Sequence, residues 1–110
     1  MREVEKRIIE LLKSGTDNAS LSLRDSVEIG SKDCGENAVY RLHGSQVAVY
    51  SRVNKTLLLG VPGRKWSTVT TKSRINAIAG AFGVPHVWQE NFWWAWSDGV
   101  PYEGVREFHV

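Results

Sequence analysis

Apolar residues recur at helical spacing near the start of the chain. Between Arg2 and Lys13, one helical face carries Val4, Ile8, Leu11 and Leu12, with Ile9 at its margin. Charged residues fill the other positions, and they predict i, i+4 ion pairs of Glu3 with Arg7 and of Lys6 with Glu10. The pattern therefore predicts a short amphipathic helix with a solvated charged face, and Gly15 is placed to end it.

A second helix is predicted between Lys72 and Phe82. Ile75, Ile78, Ala79 and Phe82 fall at i, i+3, i+4 and i+7, so they form one core-facing stripe. Thr70 or Thr71 can serve as the N-cap, and Gly83 stands where a left-handed C-terminal cap belongs. The opposite face carries only the small residues Ser73, Ala77 and Gly80, which predicts the close approach of a second element.

Strand patterns dominate the segment from Ala38 to Val61, which is rich in Val, Tyr and Leu. Two turn signals, Gly44-Ser45 and Asn54-Lys55, divide it into three strands. Gly at the first turn position predicts a type II′ hairpin that pairs Leu42 with Val47 and Tyr40 with Val49. Between Thr16 and Asn37 the alternation is weak, and an edge hairpin and an ordered loop both remain open.

The last part of the chain predicts a hairpin over His86–Trp96, with a turn near Glu90-Asn91, and a final strand in 105–110. The hairpin holds four of the five tryptophans. Side chains alternate between the two faces of a strand, so Trp94 and Trp96 share a face with Phe92. At least one face is core, and Trp88 and Trp93 are the candidates for exposure.

These elements predict an α+β fold. An antiparallel sheet, built from the 38–61 meander and the C-terminal hairpin, packs against one central helix, and an additional N-terminal helix joins them. The whole chain, 1–110, is expected to form a single domain, with 1–37 as an N-terminal helix and loop extension and 38–110 as the core.

The charge is unevenly distributed although the net charge is only +2. Residues 1–36 hold eight acids and six bases, and residues 90–110 hold four acids and one base. Between them, residues 37–89 hold seven bases and no acid. A run of one sign across half a domain predicts an anionic partner.

The start of the second predicted helix is the best candidate site, because free N–H groups and the helix dipole favour an anion there. Basic residues gather around it, and tryptophans nearby could stack on bases. Ordinary solvated side chains beside a cap are the alternative. The predicted binding residues are Arg41, Arg52, Lys55, Arg64, Lys65, Trp66, Thr71, Lys72, Ser73, Arg74, Trp88 and Trp93.

Three stretches resemble a family of small proteins encoded widely in the genomes of tailed phages. They are Leu42-His43-Gly44 with Val47-Ala48, Trp66 with the string from Thr70 to Ala77, and Gln89 with Phe92 and Trp94. The resemblance covers 39–108 and leaves out the first 37 residues. It brings no activity with it. It implies a phage or prophage origin, and we expect the protein to act in the cytoplasm of an infected bacterium. Small phage accessory proteins often act by binding.

Catalysis is not expected. The three histidines lack metal-ligand spacing, Cys34 stands alone beside acids, and neither a phosphate-binding glycine loop nor a nucleophile elbow occurs. We expect no metal and no cofactor. The favoured function is a counter-defence inhibitor, similar in role to anti-CRISPR proteins, that engages a nucleic acid or a nucleoprotein. A general single-stranded nucleic-acid binder, a sponge for a nucleotide signal and a structural or assembly protein are the alternatives.

Overall fold

The computed structural model describes residues 2–14, 19–22, 24–29, 37–61, 68–90 and 93–110. Within these residues the helices are α1 (Glu3–Ser14) and α2 (Val69–Phe82). The strands are β1 (Ala19–Ser20), β2 (Asp25–Ile29), β3 (Asn37–Leu42), β4 (Ser45–Ser51), β5 (Thr56–Leu59), β6 (Val87–Glu90), β7 (Trp93–Trp96) and β8 (Arg106–His109). The α+β class is confirmed.

Strand pairing differs from the prediction in one respect. A six-stranded antiparallel sheet has the order β1-β2-β3-β4-β5-β8, and β6 with β7 forms a separate two-stranded sheet. The tryptophan hairpin thus does not extend the main sheet; the final strand β8 does so by pairing with β5. The weakly alternating N-terminal segment supplies two further strands, β1 and β2.

The hairpin between β3 and β4 has a different turn from the predicted one. His43 and Gly44 both have positive φ, 53° and 79°, and they are the two central residues of the turn. Two left-handed residues are typical of a type I′ turn. The turn therefore precedes the predicted one by one residue, and Leu42 pairs with Ser45. An irregularity at Tyr40/Arg41 shifts the register again, so that Tyr40 pairs with Ala48.

Both helices and the tryptophan hairpin lie on one face of the main sheet. Alternate residues of β3, at Ala38, Tyr40 and Leu42, are buried beneath them, as are Leu57 and Leu59 of β5. On α1, the predicted apolar face is confirmed by the burial of Ile8, Leu11 and Leu12. Its surface ion pairs instead have i, i+3 spacing: Lys6 with Glu3 at 3.3 Å and Arg7 with Glu10 at 3.0 Å.

Helix α2 begins earlier than predicted. Its N-cap is Thr68, whose Oγ1 accepts a hydrogen bond from the Thr71 N–H at 3.1 Å. The predicted N-caps Thr70 and Thr71 therefore lie inside the helix. The C-cap prediction is confirmed, because Gly83 has φ 69° and its N–H bonds to Ala79 O.

The small-residue face of α2 does not receive a second element at Gly80. That residue is exposed, and a Cβ built there would meet no atom within 4 Å. At its N-terminal end the same face does meet a second element, because Ser73 donates to Glu5 of α1 at 2.6 Å, while the apolar stripe packs into the core. Ile75, Ile78 and Ala79 are buried, and Phe82 packs on Tyr50 with ring centroids 4.8 Å apart.

Candidate functional site

Arg74 lies at the centre of a buried ion-pair cluster. Its side chain is 5% exposed. The Nε atom donates to Asp25 Oδ1 at 3.0 Å, and Nη1 donates to Glu5 Oε2 at 3.0 Å. The guanidinium therefore links α2 to β2 and to α1. We call Glu5, Asp25 and Arg74 the buried cluster.

Both carboxylates of the buried cluster have further donors. Glu5 accepts from Ser73 Oγ at 2.6 Å and from the Arg2 N–H at 3.2 Å. The second contact is one half of a capping box, because Glu5 is the third residue of α1. Asp25 accepts from Ser22 Oγ at 2.7 Å and from the Tyr40 hydroxyl. The cluster is thus fully hydrogen-bonded, as buried charges need to be.

These contacts fix the charge states of the buried cluster. Burial by itself would raise the pKa of Glu5 and of Asp25, but their hydrogen bonds and the Arg74 charge hold both pKa values below the ordinary carboxyl range. Burial opposes the charge of Arg74, yet its bonds to both carboxylates raise its pKa. Burial and the Asp25 bond raise the pKa of Tyr40. Arg74 is therefore a charged internal anchor.

Thr71 and Ser73 lie beside that anchor and are also bonded internally. Thr71 is buried, and its hydroxyl is 2.8 Å from the hydroxyl of Thr68. Ser73 donates to Glu5, as described above. Of the predicted binding residues within α2, Lys72 alone is a partly exposed cation with no ion pair to a described acid.

Three other predicted binding residues lie elsewhere on the surface. Arg41 is on the sheet face opposite the helices, where Nε is 3.4 Å from Glu28 Oε2. Arg52 follows β4 and donates to Ser14 O, the last residue of α1, at 2.7 Å. Lys55 is exposed in the same turn. Residues 37–89 contain no acid, but acids from the N-terminal part of the chain pair with their cations in the folded protein. These acids are Glu5, Asp25 and Glu28.

Arg64, Lys65 and Trp66 lie outside the described residues. In the sequence, residues 62–67 connect Val61, two residues after β5, to the N-cap Thr68.

The tryptophan hairpin presents two indole rings to solvent. In its register, Trp88 is opposite Ala95, and Glu90 is opposite Trp93. Opposite residues share a face, so Trp88, Ala95 and Trp93 all lie on one side of the hairpin, with the two rings diagonal across the strands. Trp88 is 47% exposed and Trp93 is 68% exposed, which confirms both predictions. We call Trp88, Trp93 and Ala95 the outer hairpin face.

The inner side of the same hairpin is firmly attached. Val87 is bonded twice to the Asn76 side chain of α2, at 2.7 and 2.8 Å. Trp96 is 1% exposed, and its ring lies 5.5 Å from Tyr102 and 5.3 Å from Phe108, centroid to centroid. The outer hairpin face is therefore held in place by a buried aromatic cluster.

Both helices begin at the same end of the molecule. Glu5 near the start of α1 contacts Ser73 near the start of α2, and Lys13 near the end of α1 donates to Ala81 O at 3.0 Å. The helices are therefore parallel. A cleft of about 250 Å³ lies at the start of α2, lined by Arg24, Leu42, His43, Ser45, Val47, Val61, Thr68, Thr70 and Thr71. Two helix N-termini together favour negative charge at this end.

Glu5, Asp25 and Arg24 were missed by the sequence reasoning. The sequence pattern could have identified the two acids. Glu5 precedes Ile8 by three residues and Leu12 by seven, so it lies on the apolar face of α1, and Asp25 lies on the same face of β2 as the buried Val27. Each acid is thus on a core-facing position, which indicates a buried cationic partner. Arg24 had no comparable signal, because it precedes a weakly patterned strand.

Among the described residues, no group of three or more His, Cys, Asp and Glu side chains is arranged to hold a metal ion. In the same part of the chain, neither helix has the length and apolar character needed to span a membrane.

Comparison with known proteins gives one match. A search of curated proteins found no match, and neither did a search of solved structures. A family model described as Kyanoviridae Gp96 protein matches residues 1–109, which include the first 37 residues that the motif resemblance left out. The predicted phage origin is thereby confirmed, whereas the detailed motifs remain predictions. The chain belongs to the Kyanoviridae Gp96 protein family, a family of phage proteins.

Proposed function

We propose that this phage protein is a non-enzymatic binding protein that engages a nucleic acid or a nucleoprotein through its outer hairpin face. The observation that carries the proposal is the pair of exposed indoles, Trp88 and Trp93, on one side of an anchored hairpin. Exposing two large aromatic rings is costly in water unless a partner covers them. Aromatic rings held on a strand are a common stacking surface for unpaired bases.

The charges of the partner follow from the cations that remain available. The internal bonds of Arg74 remove it from the predicted binding set, and Arg41 is paired with Glu28. Lys72 remains on α2, one helical turn from the Asn76 side chain that holds the hairpin. In the sequence, Arg64, Lys65 and Trp66 directly precede that helix. We therefore expect tryptophan stacking to contribute more to the affinity than contacts between cations and phosphates do.

The biological role we propose is inhibition of a host defence system. A phage accessory protein that covers a nucleic acid or a nucleoprotein surface can block a nuclease or a guide complex without any catalysis. Tryptophan and arginine are the residue types that contribute most to interface affinity, which suits such a role.

The alternative of a nucleotide-signal sponge that binds its ligand at the start of α2 has less support. The cleft at the start of α2 is about 250 Å³, below the range of roughly 300 to 1,000 Å³ typical of small-molecule sites. A structural or assembly role would use the same outer hairpin face for contacts between phage proteins.

The test is a titration of fluorescently labelled single-stranded DNA, single-stranded RNA and duplex DNA, read by anisotropy at 50 and 200 mM salt. We expect single strands to bind, with Trp88→Ala and Trp93→Ala each weakening binding by about 1 to 3 kcal/mol. Affinity should fall with salt at a slope of about −0.7 per phosphate contact. Stability should change little, since both rings are exposed.

The matched control is Val53→Ala, which removes an apolar side chain that is equally exposed, at 60%, in the turn after β4. Its binding should equal that of the unchanged protein. If no strand binds at 50 mM salt, nucleic acid itself is ruled out as the ligand. The nucleoprotein form of the proposal then requires capture of a host defence complex that both tryptophan variants lose and the Val53 variant keeps; absence of such capture would overturn it.

A further inference from the structure

A second cleft lies beside the buried cluster, at the start of α1. It has a volume of about 390 Å³, and its lining residues are Arg2, Val4, Ser22, Arg24, Asp25 and Arg74. Three arginines and one acid thus line the same cleft. We call this the arginine cleft.

The three arginines of the arginine cleft differ in how available they are to a ligand. Arg2 and Arg24 are exposed, and neither side chain forms an ion pair with any residue that the structure describes. Arg74 is buried and already bonded to Asp25 and Glu5. Its single positive charge is already shared by two carboxylates, so an anion would be attracted by the two exposed arginines instead.

The one carboxylate in the lining is already satisfied. Asp25 Oδ1 accepts from Arg74 Nε and from the Tyr40 hydroxyl, and Oδ2 accepts from Ser22 Oγ. Arg74 offsets only one of the two carboxylate charges of the buried cluster, so attraction for an anion has to come from Arg2 and Arg24. An anion entering the arginine cleft would therefore meet the two exposed guanidinium groups without having to displace an existing ion pair.

We propose that the arginine cleft binds a phosphate group. Guanidinium groups match the geometry of phosphate oxygens and bond to them in pairs. The cleft is large enough to admit a phosphate together with part of the molecule that carries it. Such a group belongs either to a small phosphorylated molecule or to the backbone of a nucleic acid. The site shares no residue with the outer hairpin face, so it does not depend on the function proposed above.

The experiment follows backbone amide shifts by NMR in two titrations at constant ionic strength. One uses inorganic phosphate, and the other uses a ten-nucleotide oligothymidine with a 5′-hydroxyl end. We expect saturable shifts at Val4, Ser22 and Asp25 in at least one arm. Saturation with inorganic phosphate indicates a small phosphorylated ligand, whereas saturation with the oligonucleotide alone indicates backbone phosphate.

The variants decide whether the arginines are responsible. Arg2→Ala combined with Arg24→Ala should weaken the binding at least about ten-fold. Arg7→Ala is the matched control, since it removes one exposed guanidinium from α1 outside the arginine cleft; it should change binding less than two-fold. No saturable shift with either probe, or equal effects of the two sets, would overturn the site. Trp88→Ala with Trp93→Ala should leave the binding of inorganic phosphate intact. With the oligonucleotide, this double variant should lower the affinity but keep the shifts at Val4, Ser22 and Asp25, which separates this site from the outer hairpin face.

Discussion

The two halves of α2 are attached to the rest of the protein by different kinds of contact. The first half is held by hydrogen bonds and charge, because Ser73 and Arg74 bond to acids of α1 and β2. The second half is held mainly by apolar packing, in which Ile78 and Ala79 are buried and Phe82 lies against Tyr50, and its polar contacts involve no acid. One helix thus has a charged end and an apolar end.

The difference shows why residue type alone misled the assignment of the binding site. Lys72, Ser73 and Arg74 follow one another at the start of a helix, where an external anion would be favoured. Two of the three instead face acids that arrive from distant parts of the chain. What remains for a partner depends on which cations those acids leave unpaired, and among the described residues these include Lys72, Arg2, Arg24 and Lys55.

Replacing Arg74 should have the largest effect on the charged half. Arg74→Ala leaves Glu5 and Asp25 buried without their cation, and breaking a buried ion pair in this way costs about 3 to 5 kcal/mol. The free energy of unfolding, measured by urea denaturation at pH 7, should fall by that amount.

Arg7→Ala is the control for that measurement. Its guanidinium pairs with Glu10 at 3.0 Å, but both side chains are largely exposed, so the loss should be below about 1 kcal/mol. Should Arg74→Ala prove no more destabilising than Arg7→Ala, the charged half of α2 would not be an anchor.

The apolar contacts of α2 could be predicted from the sequence, whereas the ion pairs at its start could not. Ile75, Ile78 and Ala79 have helical spacing, and a period is visible in any single sequence. The bonds from Arg74 to Asp25 and Glu5 span 49 and 69 residues. Local patterns do not specify such partners, although acids on core-facing positions indicated that a cation was needed.

The strand predictions divide in the same way between local patterns, which a sequence shows, and pairing partners, which it does not. Exposure of Trp88 and Trp93 followed from strand alternation once Trp96 was placed in the core. The β3–β4 register did not follow, because moving the turn from Gly44-Ser45 to His43-Gly44 changes the partner of Leu42 from Val47 to Ser45. The irregularity at Tyr40/Arg41 then places Tyr40 opposite Ala48 instead of Val49. Inclusion of the tryptophan hairpin in the main sheet was wrong because local alternation predicts a hairpin but not the strand beside it.

A smaller effect is expected from neutralising one acid, and pH should reveal it. Glu5→Gln removes one charged acceptor from Arg74 and should cost about 1 to 3 kcal/mol at pH 7. The folded-state pKa values of Glu5 and Asp25 are lowered, so their contribution is present above about pH 4 and is lost as the pH falls through those values. Urea denaturation between pH 7 and 3 should therefore show a weaker acid dependence in Glu5→Gln than in the unchanged protein.

Ile78→Val provides the matched control in the apolar half. Deleting one buried methyl group should cost about 0.5 to 1.5 kcal/mol. Its dependence on pH should equal that of the unchanged protein, since no titrating group is altered. Parallel pH curves for Glu5→Gln and Ile78→Val would show that Glu5 does not hold the charged half of α2.

The smallest effect should be a gain in stability at Gly80, in the apolar half. Its surroundings are open, so an added methyl group would meet no neighbour. Ala loses less conformational freedom than Gly when a helix forms, so Gly80→Ala should raise the free energy of unfolding by about 0.4 to 1 kcal/mol. Urea denaturation beside Ala77→Gly, which should lower stability by a similar amount, provides the check. A loss of stability in Gly80→Ala would instead mean that a neighbour does approach this face closely, as the row of small residues first indicated.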